Sequence, residues 1–476
     1  MRFIVKNFGP IKHADVTLGD FTVFIGPGGT GKSYLAYLIW TLQRMEPDWD
    51  TLILEIPTST AFRQAVKEIT EMNVISEQTS YDLISTVMEV HEEAIKKNIP
   101  IFLKDTFRIE NIEDLISWEA NHTQIDIYND SKTKGFTIVI NKNGSLFLKG
   151  LSDIASDEPF RIEYIKDRRM LVLKYNDIMD YKIIIKDDKD KNVVADELSG
   201  FCGGIIPTIL RRVLDNYAPY RPSFILTDSK SGLLRIAPSL IRTTLIRTEK
   251  LPLNLPDREM LSKCIIDDST VLDEEVSKIA NFLESEIGGK VIIKSYGMMF
   301  PEIYFKKGEY EIPLLRAHSG VRELALLITH LKYIIGKSIK IINNKIFKDH
   351  FIVMEEPETH LHPYMQSIVT RALAMLSKYA DVLITTHSPI ILDELDNLIK
   401  LNKLSPEEKK KLGYREEEGL DPESLKIYRF KLDGTVEEVR VTEDGIEEEE
   451  FSSVIAELSN KYAEVEEAVW RKLHGG

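Results

Sequence analysis

The run Phe21-Thr22-Val23-Phe24-Ile25-Gly26-Pro27-Gly28-Gly29-Thr30-Gly31-Lys32-Ser33 sets the architecture of everything around it. Five residues of strand-forming character lead into G-x-x-x-x-G-K-S, and Leu35, Leu38, Ile39 and Leu42 follow at helical core spacing. Glycines let such a loop curl until its backbone N–H groups point inward at phosphate oxygens. Lys32 adds a point charge there, and the Ser33 hydroxyl can ligate Mg²⁺. The helix that follows offers its positive N-terminal end. Gly26, Pro27, Gly28, Gly29, Thr30, Gly31, Lys32 and Ser33 are therefore the expected nucleotide contacts.

A second run, Phe351-Ile352-Val353-Met354, ends in Glu355-Glu356-Pro357-Glu358. Short apolar runs of this kind predict a buried parallel strand delivering carboxylates at its C-terminal end, where α/β sheets bind ligands. Glu355 is expected to hold Mg²⁺, and Glu356 to orient and deprotonate the attacking water. After a helix carrying Ile368, Ala372, Met375 and Leu376, the strand Val382-Leu383-Ile384 ends in Thr385-Thr386-His387. A right-handed β-α-β crossover brings His387 to the same sheet edge, placed to donate to a γ-phosphate oxygen. His360 and His362 lack a third ligand nearby and do not read as a metal pair. Ser319-Gly320 opens a helix with Leu324, Leu327, Ile328 and Leu331 on its apolar side. Ser319 reads either as an N-cap or, with Gly320 and the helix dipole, as a second anion site.

The 476 residues carry a net charge of −15 with 43% hydrophobic content, enough to bury a large core and too acidic for the whole surface to grip nucleic acid. The longest uncharged stretch, 198–210, is 13 residues with three glycines and a proline, so no membrane span is expected. Cys202 and Cys264 supply neither a disulfide framework nor a zinc site, which points to a reducing cytoplasm. Periodicity divides the chain into an N-terminal lobe (1–45), a helical insertion (46–130) punctuated by Pro57 and Pro100, and an antiparallel β segment of the N-lobe (131–200). Linking helices and strands (201–310), a C-terminal α/β lobe (311–396) and a tail (397–476) follow. In the tail, a hairpin (425–430 and 436–441) precedes a final amphipathic helix from Ser452 carrying Val454, Leu458, Tyr462 and Val465.

Together these pieces resemble the ABC-type ATPase head of the SMC, RecF and OLD (overcoming-lysogenization-defect) class. The resemblance implies an α/β P-loop NTPase fold with a β-rich N-terminal lobe, a helical insertion and an α/β C-terminal lobe. Glu355-Glu356-Pro357-Glu358-Thr359-His360-Leu361-His362-Pro363 is most like the OLD version. In that family a signature Ser-Gly, here Ser319-Gly320, reaches across a dimer to the partner's γ-phosphate. ATP and Mg²⁺ are the implied ligands, with Glu356, His387 and Ser319 as catalytic groups and Ser33 and Glu355 at the metal. Gly28 stands where the family usually has Asn, and His318 replaces the first Ser of its signature. Lys230 replaces Arg in a segment like Pro-x-x-Arg-x-Gly-Leu, and no Gln sits at a strand end to sense the γ-phosphate.

OLD-like ATPase subunits of phage-defence systems such as Septu and PARIS resemble this layout and work with separate effectors. The expected function is thus an ATPase that dimerises or oligomerises around ATP and controls a separately encoded effector such as a nuclease. The alternative is a RecF- or SMC-like DNA-binding ATPase in repair or maintenance. No intrinsic nuclease is expected, because the 80 residues after Asp396 contain no Asp-x-Asp pair. Residues 211–250 carry eight basic and three acidic side chains, either an ion-paired surface or a strip for DNA or RNA.

Overall fold

The computed structural model describes residues 1–44, 48–128, 135–150, 160–175, 179–205, 223–230, 232–233, 253–262, 274–294, 302–333, 335, 340–342, 345–347, 350–447 and 450–474. β1 (Arg2–Phe8) and β2 (Ile11–Thr17) form an antiparallel hairpin, with Phe3, Val5 and Phe8 turned into the core. β3 (Phe21–Ile25) is buried along its whole length and passes through the phosphate loop into α1 (Lys32–Arg44). The insertion is built from α2 (Trp49–Glu55), α3 (Thr60–Lys67) and the 31-residue α4 (Glu77–Phe107). Ser76 caps α4, and the buried Glu68 carboxylate accepts from the Ser76 N–H and the Thr79 hydroxyl, tying the helix start to the turn before it.

Pro100 does not punctuate this region; it lies inside α4. Its ring removes one N–H donor, but Ile99 and Leu103 beside it are fully buried, and that packing carries the helix past the defect. β4 (His122–Tyr128) also departs from the expected helical insertion, whose range includes it. With β5 (Gly135–Asn141) and β6 (Leu146–Lys149) it gives an antiparallel sheet ordered β2-β1-β4-β5-β6. β7 (Phe160–Ile165), β8 (Met170–Tyr175) and β9 (Met179–Ile184) form a separate sheet, so the expected single β segment is two. Ile162, Leu171 and Leu173 of that second sheet share a core with Leu83 and Val87 of α4 and with Val194 and Leu198 of α5 (Lys191–Gly200).

β10 (Ser223–Leu226) precedes α6 (Leu255–Ser262) and α7 (Glu274–Glu286). A three-stranded sheet follows, β11 (Lys290–Lys294), β12 (Glu302–Lys307) and β13 (Tyr310–Pro313), then α8 (Ser319–Tyr333). A short hairpin, β14 (Lys340–Ile342) with β15 (Lys345–Phe347), leads to β16 (Phe351–Glu355), α9 (Pro363–Leu376), β17 (Asp381–Thr385) and α10 (Pro389–Lys400). α11 (Pro406–Lys411), β18 (Leu425–Phe430), β19 (Val436–Val439) and α12 (Glu450–His474) complete the chain.

The central sheet runs β10-β16-β17-β3-β18-β19, parallel except for β19. Its strands are covered on both faces. Val23, Ile25, Met354 and Ile384 pack with Leu324 of α8, Ile368 of α9 and Leu395 of α10. Phe24, Val353 and Leu383 face Leu35, Leu38 and Ile39 of α1 and the N-terminal sheet. Continuous apolar runs are what such two-sided burial demands.

The tail hairpin is an integral part of the central sheet. β18 lies parallel to β3, with Leu425 beside Phe21 and Arg429 beside Ile25. Gly26 sits at φ 131°, and a Cβ there would stand 2.3 Å from the Phe430 carbonyl oxygen. Only glycine permits that approach, so the phosphate loop and the tail are packed as one unit. Cys264 and most of the basic 211–250 stretch lie outside the described residues.

Candidate active site

Three neighbouring strands, β3, β16 and β17, point their C-terminal ends to one edge and bring the expected residues together there. In the loop after β3, Gly31 has φ 99°, and a Cβ on it would meet Ile11 and Pro10 side chains at 2.8 and 2.9 Å. A Cβ on Gly28 or Gly29 would meet none of the described residues within 4 Å, so the loop is open at these positions. The Lys32 ammonium donates to the Gly26 and Pro27 carbonyls, each at 2.8 Å, and Thr30 Oγ1 donates to Pro27 O at 2.8 Å. Carbonyl oxygens occupy the part that phosphate oxygens would take.

Burial pushes the Lys32 ammonium down to about 8 from its usual 10.5, only partly offset by Glu356, Glu358 and Glu355. Between those two pH values the unfolded chain holds a proton that the folded chain has lost, so this group's contribution to stability rises with pH across that window. Below about 8 the cost of burying the charge is fully present. Phosphate oxygens favour the charged form, so binding ATP takes up a proton above that pH. ATP affinity is therefore expected to be flat from pH 7 to 8 and to fall by up to about tenfold per pH unit above it. Titration with a fluorescent ATP analogue between pH 7 and 10 checks this, and Lys32→Ala should give weak binding without the slope.

Glu355 ends β16 buried, and burial raises its carboxyl above the usual range. Hydrogen bonds from the Ser33 and Tyr37 hydroxyls and from the Asp228 N–H oppose that rise. Tyr37 OH lies 2.6 Å from Glu355 Oε2, and Asp228 N 3.3 Å from it. Burial together with Glu355 holds the Tyr37 hydroxyl well above its usual range, so it stays a donor. Glu356 follows with φ 41°, a left-handed conformation that a side chain rarely adopts. Its N–H donates to Thr385 O at 3.0 Å, and its carboxylate accepts from Thr359 Oγ1 at 3.2 Å.

His387 lies beside it, Nε2 3.8 Å from Glu356 Oε1, both side chains more than a third exposed. Glu358 accepts from the His387 N–H and the Thr386 hydroxyl, each at 2.7 Å, and so fixes the switch segment. His362 caps α9 by accepting from Tyr364 N through Nδ1.

The structure thus gathers Lys32, Ser33, Glu355, Glu356 and His387. It does not bring Ser319 to them. Ser319 heads α8 exposed, and among the described residues it makes no hydrogen bond to the phosphate loop. Arg322 N donates to His318 O, so His318 holds the cap position expected of Ser319. Tyr37, Asp228, Lys230, Glu323 and Glu358 reach the site without having been assigned there from sequence. Tyr37 carries a faint signal, one turn beyond Ser33 on the same helix.

Among the described residues no group of three or more His, Cys, Asp or Glu could hold a metal ion unaided. The donor set nonetheless fits Mg²⁺. Ser33 and Glu355 offer hard oxygen, and Glu355, Glu356, Glu358, Asp228 and Glu323 gather around Lys32 and Lys230. Bound with nucleotide, Mg²⁺ would neutralise the β- and γ-phosphate oxygens.

Residues 247–392 match the family model described as AAA ATPase domain, a span that contains Ser319, Glu355, Glu356 and His387. No curated protein matches the chain. Among solved structures it is similar to an Smc head bound to the C-winged helix domain of ScpA, at 13% identity over 92% of this chain and 96% of that one, TM-score 0.43. It is also similar to the SMC head domain from Thermotoga maritima, at 13% identity over 93% and 98%, TM-score 0.33. A third is the Smc head domain with an extended coiled coil bound to the C-terminal domain of ScpA, derived from Pyrococcus furiosus, at 13% over 96% and 98%, TM-score 0.37. No helix among the described residues is long and apolar enough to cross a membrane.

Proposed function

We propose that the chain is an ABC-type ATPase that closes as a dimer or larger oligomer around ATP and Mg²⁺ and controls a separately encoded effector in anti-phage defence. The observation that carries the ATPase reading is the convergence of Lys32, Ser33, Glu355, Glu356 and His387 on one sheet edge. Lys32 and the loop N–H groups bind the triphosphate, and Ser33 with Glu355 holds the metal. Glu356 takes the proton of the attacking water, and His387 donates to the γ-phosphate.

Output then passes through surfaces, because the ATP-driven change of dimer geometry is a two-state element a partner can read. α12 supports this role: Tyr462, Val465 and Val469 recur at i, i+3 and i+7 and are each more than half exposed, as is Trp470. The side chains of Val454 and Leu458 lie outside the described residues.

The test is to assay purified protein for ATP hydrolysis, and for cleavage of plasmid and tRNA with Mg²⁺ or Mn²⁺, alone and with the product of the neighbouring gene. ATP turnover alone, with nucleic-acid cleavage appearing only in the mixture, is expected. Robust cleavage by this chain alone, abolished by a mutation within it, would refute the effector reading. Salt-sensitive duplex binding lost on Arg242→Glu with Arg247→Glu would favour the DNA-maintenance alternative.

A further inference from the structure

The segment after β10 turns back beneath the carboxylates. Thr227 Oγ1 donates to Asp257 Oδ1 at 2.8 Å, Asp228 N to Glu355, and Lys230 is 1% exposed. The Lys230 ammonium donates to the backbone carbonyl of Glu356 at 3.3 Å. It also stands 3.8 Å from Glu323 Oε2, on α8, one helical turn beyond Ser319. That oxygen is buried and has no hydrogen-bond partner among the described residues, and Lys230 is its counter-charge there. Glu358, Asp228 and Glu355 add negative field around the ammonium and oppose the lowering that burial imposes on it.

We infer that Lys230 is a positioning residue that clamps the strained Glu356 backbone to the signature helix and so aims the water-activating carboxylate. The inference rests on the ATPase reading. A residue at φ 41° persists only when its surroundings over-determine it. Hydrogen bonds at its backbone do so here. The Glu356 N–H is held by Thr385 O, while its carbonyl accepts both from Thr359 N at 3.0 Å and from Lys230. Of these, the Lys230 bond is the one that leads to α8, through Glu323. Contact made at the head of α8 is thereby communicated to Glu356.

A purely structural role makes a different prediction. If Lys230 only balances Glu323, replacing both with apolar side chains of similar volume should restore stability and activity together. Lys230→Met alone leaves Glu323 buried and unpaired and is expected to lower Tm. Lys230→Met with Glu323→Met is expected to regain Tm, keep KM for ATP within about threefold and remain about 10²-fold low in kcat. Hydrogen exchange gives a readout independent of turnover. Amides in 356–361 should exchange at least about tenfold faster in the double variant, with β16 unchanged. A double variant with wild-type kcat, or with unchanged exchange in 356–361, would overturn the clamp. Wild-type protein without ATP turnover would instead remove the ATPase reading, and the exchange result would still decide whether Lys230 holds the loop.

Discussion

Glu356→Gln protein is expected to bind ATP within about twofold of wild type and to hydrolyse it about 10²–10⁴-fold more slowly. The amide keeps the carboxylate's shape and can still accept from Thr359 Oγ1, so the loop has no reason to rearrange. What it cannot do is take a proton from water. The side chain is 37% exposed, and the backbone of Glu356 is anchored through its N–H and carbonyl, so Tm should not move. ATP-bound dimers should accumulate, visible as a shift in size-exclusion elution that ADP does not produce. Lys32→Ala provides the contrast, since it should lose the affinity itself. A Glu356→Gln protein that turns over ATP at the wild-type rate would assign the water-activating role to another group, with Glu358 the next carboxylate along the loop.

The legible and illegible parts of this site differ in how far apart their residues lie in the chain. Gly26 to Ser33 and Glu355 to Glu358 are contiguous, and each follows an apolar strand, so backbone geometry alone delivers them to the sheet edge. Lys230 and Glu323 come from different elements, and their meeting is a product of packing that no local pattern encodes. β18 shows the same limit: the alternation in Leu425–Phe430 marks a strand but not its neighbour, and the neighbour proved to be β3.

β4 was within reach. Thr123, Ile125 and Ile127 recur at period two and are buried, and Gln124 and Asp126 alternate with them on the opposite face, where Asp126 is buried too. Thr137 Oγ1 at 2.7 Å and Gln124 Nε2 at 2.8 Å satisfy that carboxylate, a compensation supplied in part by the neighbouring strand. At Pro100 a sound local rule was overridden by burial of the residues around it.

Ser319 poses the largest remaining demand on the mechanism, because it is exposed and, among the described residues, makes no hydrogen bond to its own phosphate loop. If its hydroxyl and the N-terminal end of α8 serve catalysis, they must serve the nucleotide of a second copy. A composite site of this kind has a signature that no within-chain role can imitate. Ser319→Arg should be inactive, because the new side chain adds bulk at the position meant to meet a γ-phosphate. Since Ser319 is exposed, its fold and ATP affinity should be intact. Lys32→Ala should be inactive for lack of bound nucleotide. Mixed in equal amounts, the two should recover activity. A mixed dimer pairs the intact phosphate loop of the Ser319→Arg chain with the intact Ser319 of the Lys32→Ala chain, and so rebuilds one of its two sites. Random pairing makes about half the dimers mixed, so about a quarter of wild-type activity is the upper bound. Cooperativity between sites would lower that figure, since the rebuilt site faces one that binds no ATP. Recovery should grow as the square of protein concentration below the dimer dissociation constant and disappear when both substitutions are placed in one chain. Ser319→Arg activity equal to wild type, or a mixture no more active than its components, would show that each chain hydrolyses ATP without the other's Ser319.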